Sequence, residues 1–259
     1  MYNMFCKQLL REHKQTSNVG VFLEAGMVPL ILYAQKACIK NWERIHNSRA
    51  NHFMRESYNG AVNDDLDWYK LIKMHLNQNG LGSHLMEGGT PPDQTLHHKY
   101  FSRVKDVFHQ SSLASIINPN GKLRTYGLIK ESINIENHLI MVPNIKQRTC
   151  LTRFRLSNHK LLVEVGRHQG LLLNERICRF CPSNDIEDEI HFLINCNTYQ
   201  ILRKPLLDLC RELKPNFEFY SATEKFIFIM TCTYLSKNLA KFVYEAMELR
   251  IDLAEKKLI

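Results

Sequence analysis

Cys178, Cys181, His191 and Cys196 stand in the spacing C-x2-C-x9-H-x4-C, and four soft or borderline donors in so short a stretch constrain how it can fold. Zinc takes sulfur and nitrogen ligands in a tetrahedron, and here a C-x2-C turn supplies one pair and an H-x4-C pair supplies the other. Arg179 and Phe180 form a tight knuckle between the first two cysteines, and Ser183-Asn184-Asp185 favours a helix start, so a helix is expected from near Ile186. His191 and Cys196 are five residues apart, about 140° of rotation on an ideal helix. The helix is therefore expected to fray or end by Asn195 if both are to face one ion. The alternative is a set of ordinary buried thiols.

At 259 residues and 44% hydrophobic content the chain can build a real core, as one large domain or two small ones. No run approaches the roughly 20 apolar residues that span a bilayer; the best, Phe226 to Leu235, is interrupted by Thr231 and Thr233. Met1 to Lys14 is polar and reads as a short helix rather than a secretion signal, so an intracellular location, nuclear or cytoplasmic, is expected, with no membrane partner. In that setting eight cysteines are expected to be thiols and metal ligands rather than disulfides. Cys6, Cys38, Cys150, Cys210 and Cys232 read as core packers.

The formal charge is +8, and between Lys146 and Arg179 eight basic residues face only two acidic ones, Glu164 and Glu175. Lys146, Arg148, Arg153, Arg155, Lys160, Arg167, Arg176 and Arg179 thus make a basic approach to the four-ligand segment. Such a surplus attracts polyanions, and phosphate contacts dominate nucleic-acid affinity. A merely solvated basic helix face is the competing reading.

Helical periodicity dominates. Pro29 opens a long amphipathic pattern that runs to Asn47-Ser48, followed by helical patterns over 51–58 and 65–76. Residues 80–92 carry glycines and a Pro91-Pro92 pair and read as a loop; another helix is expected from near Asp93, and Asn118 to Gly121 is a turn. Helical spacing returns over 144–157, 199–213 and 224–253. The expected fold is mainly α, an irregular helical array with a small zinc-knuckle subdomain, divided into 1–143, 144–213 and 214–259.

Arg153-Phe154-Arg155-Leu156-Ser157 with His159, then Gly166-Arg167-His168, Arg176-Ile177-Cys178 and Asp188-Glu189-Ile190-His191-Phe192-Leu193 with Cys196 and Tyr199, resembles the C-terminal zinc-binding region of non-LTR retrotransposon reverse transcriptases. The likeness continues upstream, more loosely, in Glu24-Ala25-Gly26 with Pro29-Leu30, in Trp68-Tyr69 with Asn79-Gly80-Leu81-Gly82, and in Lys122-Leu123-Arg124-Thr125-Tyr126. It covers most of residues 20–210. The resemblance implies a structural zinc on Cys178, Cys181, His191 and Cys196, and a grip on template RNA or target DNA.

The Tyr/Phe-x-Asp-Asp turn that holds catalytic magnesium in those polymerases has no counterpart in this chain. Asp64-Asp65, the only adjacent Asp pair, precedes a helical pattern and reads as a cap, and His97-His98 reads as a surface pair. No catalytic activity is expected. The expected nucleic-acid contacts are Arg148, Arg153, Arg155, Lys160, Arg167, Arg176 and Arg179, with Phe180 either stacking on a base or packing internally. The acidic turn Asp185, Glu187, Asp188 and Glu189 is expected to face away from phosphate. The rival reading is a structural or protein-interaction fragment of a retroelement, docking through its N-terminal helices.

Overall fold

A computed structural model describes residues 1–47, 52–85, 95–118 and 121–256. Among these the chain is mainly α, without a strand; one isolated antiparallel bridge joins Ile177 to Ile186. Among the described residues no single helix is long and apolar enough to cross a membrane. Two compact units form, Val28–Ser111 and Met1–Met27 with Ser112–Ile259.

The discontinuous unit opens with α1 (Tyr2–Leu9) and α2 (Asn18–Ala25). Ser17 caps α2 by accepting from the Gly20 amide at 3.3 Å. Gly26 ends it at φ +65°, and a Cβ there would lie 2.4 Å from the Ile135 nitrogen. Both the left-handed backbone and the close approach require glycine.

The Val28–Ser111 unit contains α3 (Leu30–His46), α4 (His52–Asn63), α5 (Asp67–Gln78) and most of α6 (Leu96–Ile116). Its core is Ile39, Trp42, Ile72, Leu76, Leu81, Leu96 and Tyr100. His97 is buried rather than on the surface, with Nδ1 2.6 Å from the Glu43 carboxylate, because the first turn of α6 lies over that acid. Asp65 sits between α4 and α5 at φ +47° beside Lys70 and Lys73, a helix-turn-helix corner. The expected Asn51 and Asp93 helix starts, most of the 80–92 loop and the middle of the 118–121 turn lie outside the described residues.

The remaining helices are α7 (Asn137–Met141), α8 (Ile145–Arg155), α9 (Leu162–His168), α10 (Gln200–Leu213), α11 (Ala222–Thr231) and α12 (Ser236–Lys256). Helix α12 packs along α8 and against α10. Residues 144–213 and 214–259 therefore share one core, and 143 and 213 are not boundaries between compact units. Around Phe192 the rings of Phe154, Tyr199 and Phe242 lie at centroid distances of 5.4, 4.7 and 5.9 Å. Cys6 and Cys210 are buried and Cys150 and Cys232 half-buried, whereas Cys38 is exposed on α3 and is not a core residue.

One buried cation organises this unit. Arg155 donates to Glu24 at 2.7 Å, to Glu136 at 2.6 Å and to the Met230 carbonyl at 3.1 Å. Taking the Met230 carbonyl removes an acceptor from the next helical turn, and the pattern expected to run unbroken over 224–253 breaks into α11 and α12 with Cys232 extended between them. Only 3% exposed, Arg155 is internal and cannot meet a phosphate, which corrects its expected role. Replacing it by Met leaves two acids without their shared cation, one of them fully buried, and R155M is expected to lower unfolding free energy by about 3–5 kcal/mol. Urea denaturation followed by circular dichroism measures this; a loss below about 1 kcal/mol contradicts the organising role.

Candidate metal centre

The segment that carries the first cysteine pair is closed by a minimal antiparallel pairing. The Cys178 amide donates to the Asp185 carbonyl, and the Glu187 amide to the Arg176 carbonyl, each at 2.8 Å. Asn184, at φ +57°, turns the chain between them. This pairing occupies Ile186, so the helical segment starts three residues later than its expected position. Asp188 caps it, its Oδ1 accepting from the His191 amide at 2.7 Å.

The helical turn that follows solves the problem posed by the five-residue step from His191 to Cys196. Residues His191–Asn195 form a π-turn, in which the Cys196 amide donates to the His191 carbonyl at 2.8 Å. An i+5 hydrogen bond means that residue i+5 has come back over residue i, where an α-helix would have carried it to the far side. Cys196 then leaves the helix with extended backbone. Arg203, from the first turns of α10, fixes this geometry by donating to the carbonyls of Ile194 (2.7 Å), Phe192 (3.2 Å) and Cys196 (2.7 Å).

The result is a cluster in which the ligand atoms of Cys178, Cys181, His191 and Cys196 all lie within 4.8 Å of one another. The Cys178 and Cys196 sulfurs are 4.0 Å apart, and the Cys181 sulfur is 3.4 Å from His191 Nε2. A tetrahedron with metal–sulfur bonds of about 2.3 Å and metal–nitrogen bonds of about 2.0 Å has edges of roughly 3.5–3.8 Å, so the donors are spaced to hold a metal ion. His191 presents Nε2 to the cluster, and its buried Nδ1 has the Asp185 carboxylate 3.5 Å away, the place an orienting acid takes beside a ligating imidazole.

Two of the four donors hold protons that a metal ion has to displace. The hydrogen bond to Cys196, followed by burial, pushes the Cys178 thiol up. Cys196 is drawn down to about 3, chiefly by the hydrogen bond from Cys178 and, against burial, by those from His191 and Thr198. Burial opposes charge on His191, but the neighbouring Cys196 and Cys181 sulfurs outweigh it and raise the imidazole to about 9. A divalent ion that takes these donors as thiolates and neutral imidazole therefore releases protons on binding.

Two acids of the turn expected to face away from phosphate point into the protein. Glu187 and Glu189 are buried and paired. Glu187 receives Arg250 at 2.7 and 2.8 Å and the Leu162 amide at 2.7 Å. Glu189 accepts from Arg124 at 2.5 Å and Ser157 at 3.0 Å, and lies 2.9 Å from His159 Nε2. Burial alone would raise the Glu189 carboxyl, but His159 and Arg124 hold it down at about 2. Arg124 also reaches Glu164, at 2.9 Å. These pairs tie the metal segment to α9, α12 and the 124 and 157–159 stretches.

The basic residues divide accordingly. Arg176 donates to the Leu171 and Val163 carbonyls and Arg148 to the Val142 carbonyl, so both are half-buried backbone clamps. Arg153 is half-buried with one bond to the Arg11 carbonyl at 2.8 Å, and Arg167 lies 3.5 Å from Glu164 and 3.3 Å from the Gly121 carbonyl. Lys146, Lys160 and Arg179 are exposed. The half-buried Phe180 ring packs under the Arg250 guanidinium at 5.0 Å. Arg203 and Arg250 escaped notice in the sequence because nothing in their spacing marks a partner 7 or 63 residues away.

R203M is expected to weaken cobalt(II) affinity about 10- to 100-fold while leaving all four donors in place; titration of the cobalt–thiolate absorption band measures it, and unchanged affinity contradicts the role given to Arg203. Compared with protein-family models, curated proteins and solved structures, the chain matches none.

Proposed function

We propose that this chain is a non-catalytic, zinc-stabilised nucleic-acid-binding module of the kind found in the tail of non-LTR retrotransposon reverse transcriptases. The observation that carries this reading is the convergence of three sulfurs and one imidazole nitrogen within 4.8 Å, on a segment whose approach presents Lys146, Arg153, Lys160, Arg167 and Arg179. Zinc suits a site of thiolates and imidazole better than the hard cations, which take oxygen. Four protein ligands fill a tetrahedron, so the ion acts as a clamp and not as a Lewis acid toward substrate. Three thiolates on a divalent ion leave a net negative charge, and attraction for phosphate then falls to the surrounding cations.

The residues that carry the resemblance are also ones on which the fold depends. Glu24, Arg124, Arg155, Ser157, His159 and Glu189 are far apart in the chain yet lie in buried ion pairs and hydrogen bonds with one another or with Glu136 and Glu164. A protein-docking role has its own observation: Phe53, Leu66 and Trp68 line an open apolar hollow of the Val28–Ser111 unit and are 80%, 45% and 39% exposed.

Two measurements test the proposal. Purified protein is expected to contain one zinc per chain by atomic emission, and C181S to lose it with partial unfolding at low chelator concentration; a stably folded, metal-free chain overturns the clamp. Affinity for a single-stranded oligonucleotide is expected to fall with salt. The triple variant K146E/K160E/R179E is expected to reduce the log–log slope by about 2, from roughly 0.7 per lost phosphate contact. A salt-independent affinity leaves the docking role instead.

A further inference from the structure

Beside α8 and α12 lies a cavity of about 640 Å³, within the range of small-molecule pockets. Its wall combines two chemistries. Arg11, Lys146, Arg153 and Lys160 supply positive charge, opposed by Glu248 alone once Arg250 is assigned to Glu187. The head groups of Arg11, Lys146 and Lys160 have no hydrogen-bond or ionic partner among the described residues, and Arg153 Nε is buried without an acceptor. Ile145, Tyr244, Met247 and Ile251 supply an apolar side. Unspent cations next to an aromatic and aliphatic surface fit a ligand with an anionic end and a flat apolar body.

Two of the residues that line this cavity are also the ones that brace the metal segment. His159 lies against Glu189, two residues before His191, and Arg250 spans from the cavity to Glu187 and the Phe180 ring inside the C-x2-C turn. The cavity is therefore built partly on the metal centre, though it lies outside it.

We propose that this cavity receives one nucleotide of a single strand, with the base against Tyr244 and Met247 and its phosphate between Arg153 and Lys160. The inference rests on the nucleic-acid reading above and adds to it a base-occupied site. Base–aromatic contact contributes about 1–3 kcal/mol per base, a factor of roughly five or more in affinity, and does so without depending on charge.

The test separates base from charge. Fluorescence anisotropy compares the full chain binding a labelled single-stranded oligonucleotide and an abasic strand of equal length and charge, for wild type, Tyr244→Ala and Tyr244→Phe, with circular dichroism confirming each fold. The intact strand is expected to bind at least about fivefold more tightly than the abasic strand. Tyr244→Ala is expected to abolish that preference and Tyr244→Phe to keep it. Equal binding of both strands by the wild type overturns the cavity while leaving the charge-based reading standing. A preference that survives Tyr244→Ala places the base elsewhere and likewise overturns it. Failure to bind either strand overturns both readings.

Discussion

The metal segment hangs on two buried glutamates. A carboxylate removed from water costs several kcal/mol unless a cation and further hydrogen bonds meet it, and Glu187 and Glu189 are 2% and 0% exposed. Each therefore dictates where other parts of the chain must be. Glu187 holds Arg250 of α12 and the start of α9; Glu189 holds Arg124, Ser157 and His159. The stretch leading into His191 is thereby joined to the helical core by charge, and Phe192 just after it is joined by packing on Phe154, Tyr199 and Phe242. The four donors then need only a π-turn and the Arg203 clamp to converge.

The same logic recurs at Arg155, where the cation is the buried group and the acids come to it. Glu24 at the end of α2, Glu136 before α7 and the Met230 carbonyl at the end of α11 all converge on one guanidinium. Removing any one partner strands the others, so these sites specify one arrangement of helices more strictly than apolar packing alone. That a basic residue in a basic segment serves this purpose shows why local charge density overstates the surface available to a polyanion. Of the arginines between Lys146 and Arg179, Arg155 is wholly internal, and Arg148 and Arg176 spend donors on backbone carbonyls.

The metal set was legible because ligand spacing is a local property: Cys178, Cys181, His191 and Cys196 had to be near one another whatever the rest of the chain did. The long α3 pattern after Pro29 and the α8 start at Asn144 were legible for the same reason, as caps and amphipathic period act over one or two turns. The helix start near Ile186 was misplaced because the competing interaction, pairing with Ile177, comes from residues nine positions earlier. Cys38 was assigned to the core for its apolar sequence neighbours and His97 to the surface as one of an adjacent pair; Cys38 lies on an exposed face of α3, and His97 meets Glu43 of that helix.

Sequence by itself determined a helical chain, the identity of four clustered donors and a basic stretch leading to them, because each follows from composition or from contacts within a few residues. Tertiary structure alone decided which charges are spent internally and which remain to meet a ligand. It also decided that Glu187 and Glu189 point inward rather than toward solvent, and that Arg11 and Tyr244 share a cavity with Lys160. The reason is that burial and ion pairing are made by partners up to 131 residues apart, as in Arg155 with Glu24, and no local pattern encodes the partner.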